Sequence, residues 1–174
     1  MRLPLSLIGC VAISTMTLTA QTAWADAHGV GLGVAAGMDY YAAKASASSK
    51  SLNSASLSWG FFVDIPLLST FYISPAAMLY QLDMNDGKGK QAVTDVDLNF
   101  KFIVPLGDLK LGAGVTAGVT SGLTDYKGHW GALGYLSYNL VSNLEAFAMV
   151  QYKELFSDRA IHNIHGYLGG MFRF

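Results

Sequence analysis

The chain has 174 residues, of which 52% are hydrophobic and only 13% charged, with a formal net charge of −1 at pH 7. That length is one domain, and that composition is too apolar for an ordinary water-facing surface. A nearly neutral chain without a basic cluster has no electrostatic case for nucleic acid, and a single cysteine, Cys10, excludes an internal disulfide.

The one long apolar run is N-terminal. Arg2 is followed by Leu3 to Ala20 and then by Ala23-Trp24-Ala25, a small-residue cleavage pattern ahead of Asp26. The pattern predicts a secretory signal peptide over 1–25 and a mature domain over 26–174. Ser14, Thr15, Thr17 and Thr19 interrupt the run and argue against a retained anchor. Leu7-Ile8-Gly9-Cys10 has the look of a lipobox, but the apolar stretch before the cysteine is too short for lipidation. Cleavage removes Arg2 and Cys10, so the mature chain carries a net charge of −2 and has no thiol for redox chemistry, nucleophilic attack or metal binding.

The first mature strand runs from about Val30 to Tyr41, with Val30, Leu32, Val34, Ala36, Met38 and Tyr40 on one face and a small inner face ending at Asp39. Residues 42–53, rich in Ser, Ala and Lys, cannot bury enough apolar area to order themselves and read as a loop. The second strand carries Ala55, Leu57, Trp59, Phe61, Val63 and Ile65 outward against Ser56, Ser58, Gly60, Phe62 and Asp64, and ends at Pro66. A tight turn over 66–69 leads to a third strand, Thr70 to about Leu82, whose parity is ambiguous. Phe71, Ile73, Ala77 and Leu79 compete there with Tyr72, Met78, Tyr80 and Leu82, and Pro75, which removes a ladder donor, predicts a bulge.

A polar loop over 83–94 follows, with Asn85-Asp86-Gly87 as turn chemistry. The fourth strand sets Val96, Leu98, Phe100, Phe102 and Val104 against Asp95, Asp97, Asn99, Lys101 and Ile103. After Pro105-Leu106-Gly107-Asp108 the fifth sets Leu109 to Val119, in steps of two, against Lys110, Gly112, Gly114, Thr116 and Gly118. A loop over 120–129 leads to the sixth strand, Trp130 to Leu140, and a turn at 141–143 to the seventh. The seventh carries Leu144, Ala146, Ala148, Val150 and Tyr152 outward and Glu145, Phe147, Met149, Gln151 and Lys153 inward. A loop over 154–163 precedes the last strand, Ile164 to Phe174, with Ile164, Gly166, Leu168, Gly170, Phe172 and Phe174 on its apolar face.

Eight strands, each near the ~9–11 residues that cross a bilayer at a tilt, with connections that alternate long and short, predict an all-β fold. The expected architecture is an eight-stranded antiparallel up-and-down transmembrane β-barrel with both termini on the short-turn side. Aromatics near strand ends predict two interfacial girdles: Tyr40, Trp59, Tyr80, Trp130 and Tyr152 toward the loops, Phe71, Phe102, Tyr138 and Phe174 toward the turns.

The inward parity collects Asp39, Asp64, Asp97 and Glu145 with Lys101, Lys110, Lys153 and Arg173. An eight-stranded barrel is only just wide enough for side chains to fill, and buried charges persist only when paired. These eight residues therefore predict a plugged, salt-bridged interior, with Gly31, Gly33, Gly112, Gly114 and Gly118 leaving room for the long side chains. A narrow small-solute channel is the alternative use of the same charges. Strands seven and eight adjoin, which predicts a Glu145–Arg173 pair whose double charge reversal restores what either single reversal loses.

Asp125 and His129 in the third loop and Ser157, Asp158 and His162 in the fourth are the residues from which a surface hydrolase could assemble a Ser/His/Asp set. Their spacing is unspecific, and a lipid-modifying or proteolytic enzyme remains a second alternative. His162 and His165, three apart on a strand, face opposite ways and make no metal pair. No cofactor is implied. A soluble lipocalin-like carrier is disfavoured, because it would keep its continuous apolar face inside.

The eight dyad strands, the loop asymmetry, the charged interior and the terminal Phe172-Arg173-Phe174 resemble the small outer-membrane β-barrel superfamily, which includes the OmpX and Ail type proteins and the transmembrane domain of OmpA. The resemblance implies an outer-membrane location among lipid and lipopolysaccharide. It also implies a structural or surface-interaction role without catalysis, and Phe172 and Phe174 as the signal read by the barrel-assembly machinery.

Overall fold

The protein is described from a computed structural model over residues 29–43, 52–83, 90–122, 127–156 and 161–174. The strands are Gly31–Ala43 (β1), Leu52–Pro66 (β2), Phe71–Asp83 (β3), Lys90–Leu106 (β4), Leu109–Ser121 (β5), Lys127–Val141 (β6), Leu144–Leu155 (β7) and Ile161–Arg173 (β8). Each pairs antiparallel with the next, and β8 returns to pair with β1 from Gly31↔Arg173 to Ala43↔Ile161. The result is a closed barrel without a free sheet edge. Closure gives each strand a partner on both sides, which is what allows a β structure to sit in a medium that offers no hydrogen bonds.

The connections 44–51, 84–89, 122–126 and 156–160 leave one end of the barrel, and the shorter 67–70, 107–108 and 142–143 leave the other. The longer set is shorter than the sequence suggests. Lys90–Thr94, Thr120, Lys127–His129, Glu154 and Ile161–Asn163, all expected in loops, belong to strands. Pairing continues there because the ladder needs no apolar side chain to propagate, and residues such as Thr120, His129 and Asn163 find polar partners inside. Strands of 12 to 17 residues thus exceed the ~9–11 needed to cross a bilayer.

On β3 the ambiguity resolves with Tyr72, Ser74, Ala76, Met78 and Tyr80 inside and Phe71, Ile73, Ala77 and Leu79 outside. The bulge expected at Pro75 is not there. Pairing of β2 with β3 keeps one register on both sides of the proline, from Phe62↔Ala76 to Ile65↔Ile73, and merely omits the pairs between. The missing N–H of Pro75 costs a ladder bond to β2, while its register with β4 at Leu98 is unbroken. The irregularity falls instead between Asn139 and Val141, where β6 runs into the turn to β7. The two-residue turn from β4 to β5 has Gly107 at φ 71°, the left-handed conformation that tight hairpins require and that glycine adopts without strain.

Exposure is inverted relative to a water-soluble barrel. Leu32, Val34, Leu57, Trp59, Phe61, Val96, Leu98, Val115, Leu136, Val150, Ile164 and Leu168 all point outward and are exposed, whereas Asp39, Asp64, Asp95, Asp97, Asn99, Lys101, Lys110, Glu145, Gln151, Lys153, Asn163 and Arg173 are buried. Among the described residues no helix is long and apolar enough to cross a membrane.

Candidate functional site

The interior is built in three tiers. At the turn end, Asp64, Lys101, Lys110, Glu145 and Arg173, one each from β2, β4, β5, β7 and β8, meet on the axis because each is an inward position close to a short turn. Lys101 Nζ lies 2.5 Å from Asp64 Oδ1, Lys110 Nζ 2.8 Å from Glu145 Oε2, and Arg173 reaches both acids, at 2.7 Å to Glu145 Oε2 and 3.2 Å to Asp64 Oδ2. The Ser74 hydroxyl donates to Asp64 and the Tyr135 hydroxyl to Glu145. Lys101 also lies 4.4 Å from the centre of the Tyr135 ring, and the Arg173 guanidinium 5.5 Å from that of Tyr72.

This arrangement alters the expected behaviour of Glu145 and Arg173. The two meet, but as the centre of a chain that runs Asp64, Arg173, Glu145, Lys110. Reversing both charges would place a glutamate against Asp64 and an arginine against Lys110. Double reversal therefore does not restore stability, in contrast to what an isolated pair would give.

The middle tier is aromatic and amide. Phe62 packs edge-on to Phe147 and to Tyr167, with ring centres 5.5 and 6.2 Å apart, and Tyr135 stacks on Phe147 at 5.7 Å. Met78, Met149, Met171, Ile103 and Leu133 fill the space around them. Beside this belt, Gln151 donates to Asn99, and Asn99 to the Ser74 carbonyl, a hydrogen-bonded bar from β7 through β4 to β3. Lys101, Met78, Met149 and Gln151 are all buried, and among the described residues the lumen is occupied by side chains rather than open.

At the loop end, Lys153 Nζ bridges Asp95 Oδ2 at 2.9 Å and Asp97 Oδ2 at 2.7 Å. His129 Nε2 is 2.6 Å from Asp97 Oδ1, and its Nδ1 is 2.9 Å from the Thr120 hydroxyl. His165 Nδ1 contacts Asp39 and the Tyr167 hydroxyl, while Tyr167 also donates to Asp39. Above this cluster Tyr41, Tyr80 and Val93 form a small buried apolar cap with Ile161 packed against it.

Three sequence expectations change here. His129 is not in a surface loop but on the inner face of β6, 1% exposed and bonded on both ring nitrogens. Gly118 on the neighbouring strand makes room for it: a Cβ there would meet His129 Nε2 at 2.8 Å. Tyr80 is not part of an outer girdle but lies inside, donating to Asp95. His162 sits on β8 with outward parity, its Nδ1 2.6 Å from the Tyr152 hydroxyl. The wall of the barrel separates His129 from His162, so no set using both can form; Asp125, Ser157 and Asp158 fall outside the described residues. The expected cleavage segment 1–25 falls outside them as well.

The sequence reading of the interior network also omitted members. Asp95 and His165 have the same inward parity as Asp97 and Arg173, and that parity was the signal that could have included them. Tyr135 and Tyr167 share that inward parity too, but parity alone does not say that their hydroxyls, or that of Thr120, meet Glu145, Asp39 and His129. On the outside, Tyr40, Trp59, Trp130 and Tyr152 are exposed toward the loop end, and Phe102, Tyr138 and Phe174 toward the turn end. Phe172 and Phe174 share the outer face of the closing strand, with ring centres 5.0 Å apart.

The sequence matches no protein-family model, and no curated sequence matches it significantly. Solved structures share its fold at low identity. Neisserial surface protein A (NspA) aligns with a TM-score of 0.59 at 14% identity, over 82% of this chain and 97% of that one. The outer membrane protein OprG from Pseudomonas aeruginosa aligns at 0.53 and 11% identity, over 84% and 97%. Ail, the attachment invasion locus protein of Yersinia pestis, solved with the heparin analogue sucrose octasulfate, aligns at 0.50 and 14% identity, over 84% and 99%. The chain thus has the fold of the small eight-stranded outer-membrane β-barrels.

Proposed function

We propose that the protein is a non-enzymatic outer-membrane barrel, a sealed scaffold that holds the connections 44–51, 84–89, 122–126 and 156–160 at the cell surface for interaction with other components. The observation that supports this reading is the inverted exposure. Leu57 is 80% and Leu168 72% exposed on the outside, while Lys101 and Lys153 are 1% and 0% exposed on the inside. In water the first would forgo about 1.5–3 kcal/mol per side chain of hydrophobic stabilisation, whereas in lipid an apolar exterior is the required one.

The outer girdles then sit at the two headgroup levels, against lipid and lipopolysaccharide, and Phe172 with Phe174 presents the closing strand to the barrel-assembly machinery. Catalysis is disfavoured because His129, one of the two histidines from which the sequence could assemble a set, is enclosed with both nitrogens engaged. Conduction of small solutes is disfavoured by the filled lumen. Expression in a Gram-negative host followed by fractionation and trypsin treatment of intact cells tests the reading. The protein should appear in the outer-membrane fraction and be cut at Lys44, Lys50 or Lys88 without lysis. It should also migrate faster on a gel before boiling than after, because a closed hydrogen-bonded barrel resists unfolding. A soluble mature chain with one mobility would overturn it.

A further inference from the structure

We infer that the loop-end cluster is a site for one divalent transition-metal ion of the zinc type, with Asp95, Asp97 and His129 as its core ligands and His165, which stands farther off, turning in to complete the set. Ligand atoms of Asp95, Asp97 and His129 lie within 4.8 Å of one another, and all three residues are buried. His165 adds an independent pointer. Its Nε2 is fully buried, has no hydrogen-bond partner, and stands 3.8 Å from Asp95 Oδ2. Both imidazoles turn Nε2 toward the acids and have Nδ1 held from behind, His129 by Thr120 and His165 by Asp39 and Tyr167. A histidine ligand is oriented in this way, with its second nitrogen fixed by a hydroxyl or carboxylate and its first left for the metal.

Charge leads to the same place. This tier holds three aspartates, Asp39, Asp95 and Asp97, and one permanent cation, Lys153, which touches only the latter two, a difference of two charges. Buried carboxylates without compensation are strongly destabilising, and one divalent ion closes the count. Lys153 holds both Oδ2 atoms and Tyr80 donates to Asp95 Oδ1, so an entering ion takes an Asp95 oxygen by displacing one of these partners, while Asp97 Oδ1 already faces His129. Metal bonds of about 2 Å in a tetrahedron set ligand atoms about 3.3 Å apart, so the His129–Asp97 distance of 2.6 Å opens modestly and its hydrogen bond is replaced. Two nitrogens and two oxygens suit zinc or cobalt rather than calcium or magnesium, which take all-oxygen sets. The turn-end tier, with three cations to two acids and no histidine, would repel such an ion.

The test folds the full chain into detergent micelles in the presence of Zn²⁺, removes unbound metal by gel filtration in metal-free buffer, and measures zinc per folded barrel. Wild type and His162→Gln should each retain about one ion, while His129→Gln and His165→Gln should fall to background. Zinc at background in wild type would overturn the site, and so would equal retention in every variant, which would mean adsorption elsewhere. Should the histidine variants fail to fold, as judged by gel mobility without boiling, Co²⁺ in wild type decides alone. Intense visible absorption of a tetrahedral centre is expected, and the weak spectrum of hexaaqua cobalt would overturn the proposal.

Discussion

The two ends of the barrel interior solve the problem of buried charge differently. At the turn end two acids lie among three cations, every carboxylate has an ammonium or guanidinium partner, and hydroxyls of Ser74 and Tyr135 take up remaining acceptor capacity. At the loop end two of three acids, Asp95 and Asp97, share one lysine, Asp39 meets only His165 and Tyr167 among the described residues, and two imidazoles complete the shell. The difference teaches that removing an acid has opposite electrostatic consequences at the two ends. At the turn end it enlarges an excess of positive charge, and at the loop end it relieves an excess of negative charge. Side-chain identity and burial being equal, stability should therefore respond unequally.

The largest effect should follow Glu145→Gln. The change strips Lys110 of its acid and Arg173 of one of two, at a cost of about 3–5 kcal/mol in unfolding free energy, because buried cations are left uncompensated. Denaturant unfolding in detergent, followed by gel mobility, measures it. Combining Glu145→Gln with Arg173→Met should cost clearly less than the two changes added, the signature of coupled neighbours. Strict additivity would mean that the two side chains act independently.

A comparable loss is expected from Phe147→Ala, which opens the aromatic belt between the two ends where Phe62, Tyr135 and Phe147 interlock. Truncating a buried phenylalanine costs about 3–5 kcal/mol. The belt also keeps the two ionic tiers apart, so this variant should admit water and small ions where wild type does not. Wild-type stability in Phe147→Ala would show that the rings do not pack as described.

Smaller still is Asp97→Asn, measured with chelator present. The amide retains one acceptor for Lys153, Asp95 still holds that ammonium, and the tier moves closer to neutrality, so about 1–3 kcal/mol is the expected cost. Asp39→Asn should be smallest, below about 1 kcal/mol, since among the described residues Asp39 contacts His165 and Tyr167 and no permanent cation. If Asp39→Asn proved as damaging as Glu145→Gln, the charge contrast between the ends would be wrong.

Much of this was legible because a barrel wall converts strict alternation into inside and outside. Once Val96, Leu98, Phe100 and Phe102 are outward, Asp95, Asp97, Asn99 and Lys101 have nowhere to go but in. The same logic failed where one face lacks contrast. On β3, tyrosine and methionine suit either side, and the inward set was chosen by neighbours, with Tyr80 bonded to Asp95 and Tyr72 beneath Arg173. Strand ends were misplaced because composition marks where lipid contact stops, whereas the backbone ladder runs on. That is why His129, polar and apparently in a loop, belongs to the interior. Which inward charges meet depends on the stagger of strands around the barrel, which no single strand encodes. The grouping of Asp64, Lys101 and Arg173, from three non-adjacent strands, is visible only in the closed fold.

The central claim is that eight strands enclose a lumen sealed by two ionic tiers and the aromatic belt between them. Its most direct test is conductance of the purified, refolded wild-type protein in planar bilayers, with a control showing that insertion has occurred. The account predicts a quiet membrane without resolvable channel steps. Stable, large single-channel steps from wild type would contradict it, because ions would then cross where Lys101, Glu145, Phe147 and Lys153 are held to close the way.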